Sequence, residues 1–201
     1  MPGSNELVAL AGFAAPEAPA LSADIERVAA AAAFRHMVVP GGHAMSVAMT
    51  NCGALGWVTR RTGYRYTATD PETGKAWPAM PARFAELAAR AAAAAGFGGF
   101  APDACLINRY EPGARMGLHQ DRDEADFRQP IVSVSLGLPA TFLWGGPRPR
   151  DPVRRIRLGH GDVVVWGGAS RLFFHGVAPL ARGEHPLTGA FRFNLTLRMA
   201  G

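Results

Sequence analysis

From residue 104 onward the chain alternates apolar and polar side chains with a period of two, and this constrains its fold more than any other feature. In residues 191–198, FRFNLTLR, every odd position is apolar and every even position polar. On a strand, Arg192, Asn194, Thr196 and Arg198 therefore share one face. Residues 104–110, 131–138, 140–144, 162–166, 171–175 and 190–198 read as strands separated by Gly, Pro and Asp turns. Short strands at this spacing predict a sandwich or jelly roll.

Before residue 100 the pattern changes. Residues 22–36 predict an amphipathic helix capped by Ser22 or Asp24, with Ile25 and Val28 facing inward. Residues 81–95 predict a second helix, opened by Pro81 and stopped by Gly96. Residues 39–80, rich in Gly, Pro, Thr and aromatics, alternate at 46–50 and 63–67 and predict short strands on a mobile flap. The expected organisation is one compact domain: an N-terminal extension with the first helix over 1–35, a flap with its supporting helix over 36–100, and a core over 101–201. With 201 residues, 48% hydrophobic and 18% charged, the chain supports a sizeable core and is not of the disordered class. No apolar run approaches a membrane span, and Met1-Pro2-Gly3-Ser4-Asn5-Glu6 lacks the basic start of a signal peptide. Cys52 and Cys105 form no spacing pattern. A cytoplasmic protein without a membrane partner is expected.

Two His-x-Asp groups are candidates for metal binding. In His119-Gln120-Asp121 the spacing puts both side chains on one face of a strand. With the distant His175 they would complete the two-histidine, one-carboxylate set that binds Fe(II) and leaves positions open for O2 and an organic co-substrate. The rival, His160-Gly161-Asp162, lies in a Gly-His-Gly-Asp turn, where an aspartate capping its own backbone accounts for it without a metal. His36, His43 and His185 read as surface or structural. Arg192 and Arg198 on one strand face suit a dicarboxylate, because the planar guanidinium fork grips a carboxylate through two parallel bonds. An ordinary strand with its polar face in solvent fits the same alternation. The charge balance is +5, and all 21 basic residues except Lys75 are arginine, clustered at Arg60, Arg61 and Arg65 and at Arg148, Arg150, Arg154, Arg155 and Arg157. A phosphate-tracking surface and simple nucleotide bias in the genome both account for this.

Several segments in order carry a resemblance. They are Pro102-Asp103-Ala104-Cys105-Leu106-Ile107-Asn108-Arg109-Tyr110, Leu118-His119-Gln120-Asp121, Val132-Ser133-Val134-Ser135-Leu136-Gly137, and residues 161–168 and 191–198. Met45-Ser46-Val47-Ala48-Met49-Thr50-Asn51-Cys52-Gly53 and Trp77-Pro78-Ala79-Met80-Pro81 extend it, so that it covers residues 36–200. The chain resembles the AlkB family of Fe(II)/2-oxoglutarate-dependent nucleic-acid dealkylases, and most of all its bacterial DNA-repair members. The resemblance implies an α+β fold dominated by β: a double-stranded β-helix (jelly-roll) core with N-terminal helices and a nucleotide-recognition flap.

It also implies roles. His119, Asp121 and His175 would hold Fe(II), and Arg192 the distal carboxylate of 2-oxoglutarate. Asn108, Tyr110 and Arg198 would add co-substrate contacts, with Asn194 between the two arginines on the same face. Trp57 would stack on the target base opposite the His119 ring. Tyr64, with Tyr66 near it, would contact phosphate, and Asp123 would sit by the exocyclic amine of the base. Where the family carries a substrate-contacting arginine this chain has Pro149, flanked by Arg148 and Arg150, either of which would supply the charge. The implied reaction is demethylation of N1-methyladenine and N3-methylcytosine in DNA, single-stranded first, with duplex DNA and RNA as further substrates. It consumes O2 and 2-oxoglutarate and releases succinate, CO2 and formaldehyde. A monomer is expected. Two alternatives stay open: the same oxygenase chemistry on RNA, tRNA or protein, and a non-catalytic metal-binding jelly roll that serves as a nucleic-acid adaptor.

Overall fold

The alternation resolves, in a computed structural model describing residues 7–60 and 63–201, into two main antiparallel sheets and a separate hairpin. Residues 1–6 and Arg61 of the first arginine cluster lie outside the described residues. In chain order the strands are β1 (Val8–Leu10), β2 (Arg35–Val38), β3 (Ala44–Gly53), β4 (Gly56–Arg60), β5 (Gly63–Thr67), β6 (Ala104–Tyr110), β7 (Met116–His119), β8 (Ile131–Gly137), β9 (Ala140–Trp144), β10 (Arg154–Leu158), β11 (Val163–Trp166), β12 (His175–Val177) and β13 (Arg192–Arg198). The helices are α1 (Ala18–Ala31) and α2 (Ala82–Ala94). The large sheet runs β1-β11-β8-β13-β6-β3-β2, the small one β10-β9-β12-β7, and β4-β5 stands apart.

The large sheet is covered on both sides, which is why β8 and β11 are buried along their whole length. On its outer face Leu21, Ile25, Phe84 and Leu87 of the two helices meet Val134, Leu195 and Leu197. On its inner face Met49, Leu106 and Trp166 join Phe142, Trp144 and Val177 of the small sheet. This is the jelly-roll arrangement expected, with the odd positions of β13 toward the helices and the even ones toward the interior.

Four local expectations need correction. The first helix starts at Ala18, with Pro19 in its opening turn and no side-chain cap, and ends at Ala31 because residues 35–38 are drawn into β2. Ser22 and Asp24 are therefore buried on its inner face instead of capping it, and Asp24 pairs with Arg27 and Arg83. Residues 44–53 do not belong to a flap: β3 pairs along β6 in the large sheet, and residues 47–52 are all buried. The hairpin that projects is confined to β4 and β5. Finally, residues 171–174 are not a strand. A 3-10 turn over Gly168–Ser170 holds the Arg171 guanidinium inside, and pairing resumes only at His175. The second helix begins one residue after Pro81 and stops before Gly96, whose φ of +88° is the left-handed conformation glycine adopts at a helix end.

Candidate active site

The small sheet builds the metal position. In the β7–β12 ladder His119 lies directly opposite His175, which brings the ring centroids to 4.5 Å. Such approach of two backbones is helped by Gly176, where a Cβ would fall 2.7 Å from the Met116 carbonyl oxygen. Asp121 is not on the strand, as the spacing predicted, but two residues past its end. The chain nonetheless folds its carboxylate inward: Oδ1 lies 3.5 Å from His119 Nε2, and Oδ2 3.7 Å from His175 Nε2. The three ligand atoms all lie within 4.8 Å of one another.

Backbone carbonyls set the chemistry of both rings. His119 Nδ1 is 2.9 Å from the Gly117 oxygen and His175 Nδ1 3.0 Å from that of Phe173. A carbonyl only accepts, so each Nδ1 carries the proton and each Nε2 lone pair is left facing the carboxylate. Burial works to raise the Asp121 carboxyl, but the Arg198 guanidinium beside it holds it well below the usual carboxylate range. Burial and the neighbouring His119 push His175 down, toward the neutral ligand form. Two imidazole nitrogens and one carboxylate on a single face form the donor set that suits Fe(II).

Next to it lies the cavity lined by Arg192, Asn194, Thr196 and Arg198. All four are buried, which excludes a solvent-facing polar strand. Arg192 is 1% exposed, donates from Nη2 to Ser135 Oγ at 2.9 Å, and leaves Nε and Nη1 without a partner. A buried guanidinium with two idle donors calls for a carboxylate. Its charge also rests 5.0 Å from the Tyr110 ring, the residue opposite it on β6. Asn108 Oδ1 is likewise buried and unpartnered. These orphaned groups fit 2-oxoglutarate. Asn194 is different. Its amide donates to Ser133 Oγ and the Val134 oxygen, and its oxygen accepts from Asn108 and Thr196, so it braces the wall.

A second cleft opens beside the first, between the β4–β5 hairpin and the segment after β7. Trp57, Tyr64, Tyr66, His119, Asp121 and Asp123 line it. The hairpin is hung from β3 by Asn51, whose side chain bonds both the backbone nitrogen and the backbone oxygen of Trp57 at 3.0 Å. Trp57 stacks on Tyr64 at 5.2 Å, and its indole nitrogen donates to Asp123 Oδ2 at 2.8 Å. Arg148 and Arg150 are not in the cleft. They sit on the surface turn between β9 and β10, where Arg148 is tied to Asp151 at 2.8 Å. The rival His160-Gly161-Asp162 is a turn: Asp162 accepts from the backbone of Gly12 and Gly159, and His160 stacks on His185.

Four polar residues that sequence reasoning missed complete the site: Ser133, Ser135, Glu124 and Arg171. The serines had a signal, since they alternate with Val132 and Val134 on a strand facing the cavity. Glu124 and Arg171 had none. Both lie in irregular segments, and only the fold reveals their 2.9 Å ion pair with side chains no more than 3% exposed.

Fold and site together define a two-histidine, one-carboxylate oxygenase with a dicarboxylate pocket. The chain belongs to the 2OG-Fe(II) oxygenase superfamily, whose family model matches residues 6–198. It is thus an Fe(II)/2-oxoglutarate-dependent dioxygenase, with O2 as the second co-substrate. Among individual proteins it is similar to the alpha-ketoglutarate-dependent dioxygenase AlkB of Salmonella typhimurium, 61% identical over 193 residues that cover 96% of this chain and 89% of that one. A shorter match, 40% identical over 111 residues and covering 49% of this chain and 25% of the relative, is to the DNA N(6)-methyladenine demethylase ALKBH1D of Arabidopsis thaliana. The solved structure of OsALKBH1 superposes with a TM-score of 0.86 at 28% identity, covering 96% of each chain.

Proposed function

We propose that the enzyme removes methyl groups oxidatively from alkylated nucleic-acid bases, with N1-methyladenine and N3-methylcytosine in single-stranded DNA as preferred substrates, acting as a cytoplasmic monomer. The observation that carries this reading is the meeting of Trp57, Asp123 and the His119 ring in one cleft that opens beside the metal ligands. Names among its relatives, an AlkB dioxygenase and a DNA demethylase, support the same reading.

In this reading His119, Asp121 and His175 hold Fe(II), and Arg192 takes the distal carboxylate of 2-oxoglutarate, with Asn108 and Tyr110 beside it. Bound there, the pair would supply, with O2, the oxidising power to hydroxylate an N-methyl carbon, one oxygen atom going to that carbon and the other to the succinate formed with CO2 from 2-oxoglutarate. The hydroxymethyl group then leaves as formaldehyde, its hydroxyl proton is released, and N1 of adenine or N3 of cytosine regains its lone pair. The chain's own contribution is selection and placement. A base must leave its stack to reach the metal, and stacking between Trp57 and His119, worth about 1–3 kcal/mol per base, offsets part of that loss. The exocyclic amine of a cationic base displaces the Trp57 indole N–H from Asp123, exchanging a neutral donor for a charge-assisted one. Tyr64 meets the phosphate backbone, and Arg148 and Arg150 extend the contact along the strand, away from the cleft.

The test is anaerobic loading with Fe(II), followed by 2-oxoglutarate, O2 and an oligonucleotide bearing one N1-methyladenine. A mass loss of one methyl group, with formaldehyde and succinate, is expected, and none of these with His119→Ala. Succinate without any change in the oligonucleotide would overturn the substrate assignment and keep the oxygenase.

A further inference from the structure

Beneath the base cleft lies a buried charge network. Glu124 Oε1 accepts from the Tyr66 hydroxyl at 2.8 Å. The same oxygen lies 3.3 Å from Arg198 Nε, and that nitrogen is also 3.0 Å from Asp121 Oδ2. Arg198 Nε thus gives its N–H to the metal-binding carboxylate and stands in ion-pair contact with Glu124, while Arg198 Nη2 bonds Asp121 at 2.6 Å. Arg171 locks the far side. It donates to Glu124 Oε2 at 2.9 Å, to the Asp121 backbone oxygen at 2.8 Å and to the Gln129 oxygen at 3.0 Å. Two carboxylates and two guanidiniums, all nine-tenths or more buried, balance in charge, and every oxygen of Glu124 is committed.

We propose that Glu124 is a positioning residue, joining the hairpin that reads the base to the carboxylate that holds the metal. The placement goes beyond a stabilising ion pair, because Tyr66 enters it from β5, outside both main sheets. The Tyr66–Glu124 bond also lies below the cleft, separate from the Trp57–Asp123 contact at its rim. Fixing Asp121 on a metal orders Arg198, then Glu124, then Tyr66. A ligand at either end meets a partly ordered network and so loses less conformational freedom on binding. Such coupling is reciprocal: what metal does for the hairpin, a base in the cleft does for the metal.

The inference rests on the proposed base-reading role of the hairpin, but its test needs no nucleic acid. Amide hydrogen exchange of the β4–β5 hairpin in the full chain is compared with and without Mn(II) alone. Slowing by several-fold is expected in the unaltered protein. In Tyr66→Phe, which loses one hydroxyl and keeps the ring, exchange becomes indifferent to Mn(II) although the metal still binds. Glu124→Gln is expected to weaken Mn(II) binding by about 10-fold, as for other groups that support a metal ligand from behind. Equal slowing in the unaltered protein and Tyr66→Phe, or no slowing in either, would overturn the coupling. Absence of demethylation with the coupling intact would instead count against the substrate reading.

Discussion

The half of the site proposed to hold metal and co-substrate is built from sheet, whereas the half proposed to read the base is held by side chains. His119, His175, Arg192, Asn194 and Arg198 sit on strands whose register fixes them to their neighbours residue by residue. Trp57, Tyr64 and Tyr66 stand on a two-stranded hairpin that joins the rest through Asn51, Asp123 and Glu124. A lone two-stranded hairpin is only marginally stable in water. The first half is therefore preorganised and the second can yield. The proposed function, which asks an oxygenase to keep its ligand geometry and still admit a bulky extruded base, needs that division.

The comparison is open to attack from either side. The largest effect is expected from Asp121→Ala, which removes a metal ligand and strands the buried Arg198 guanidinium. Product should fall to background, and stability by about 3–5 kcal/mol, as when one partner of a buried ion pair is deleted. A thermal melt and an Mn(II) titration check both, and unchanged stability would show that this half is less committed than its contacts suggest. Next comes Arg192→Lys, which loses the fork but keeps the charge. The KM for 2-oxoglutarate should rise about 10- to 100-fold, matching about 1.5–3 kcal/mol for a charge-assisted contact, while Mn(II) affinity stays put.

Trp57→Ala addresses the other half. The KM for the oligonucleotide should rise about 5- to 100-fold, the range for losing one stacked base. The KM for 2-oxoglutarate and the melting temperature should barely move, and a matching change in either would erase the distinction between the halves.

The smallest effect concerns the turn beside the hairpin, where Asp70 bonds Arg35 of β2 at 2.9 Å. Burial works to raise the Asp70 carboxyl, but the Arg35 contact and the turn's own N–H hold it below the ordinary aspartate value. A depressed folded value means that its stabilisation is complete above the unfolded value of about 3.9 and fades as pH falls through the folded one. Asp70→Asn should therefore melt lower than the unaltered protein at pH 7, and the gap should narrow as the pH falls below the unfolded value. A gap that persists there would assign the effect to the amide substitution and not to the charge.

How much of this the sequence disclosed follows the same division. The period-two pattern of residues 191–198 yielded the strand, its register-facing side and the arginine pair, because a sheet translates alternation directly into geometry. The meeting of His119 and His175 was legible for the same reason, though Asp121 joins them from a loop. The flap was drawn too large, since the buried run at 47–52 carries the same short-range pattern as an exposed hairpin and differs only in its partner, β6. Glu124 and Arg171 stayed hidden because a charge in an irregular segment reads as solvated until the fold buries it. Arg148 and Arg150 were legible as charge but not as position.

The three-residue strand at the start of the described chain has a practical consequence. Val8–Leu10 covers the outer edge of β11, and β11 itself is Val-Val-Val-Trp, buried along its length. Trimming the first dozen residues to tidy an expression clone would bare an apolar row of unpaired backbone donors and acceptors, the template on which sheets of separate molecules join. The damage would surface as turbidity and poor recovery from cells, far from iron or substrate, and an activity assay on the surviving soluble fraction would miss it.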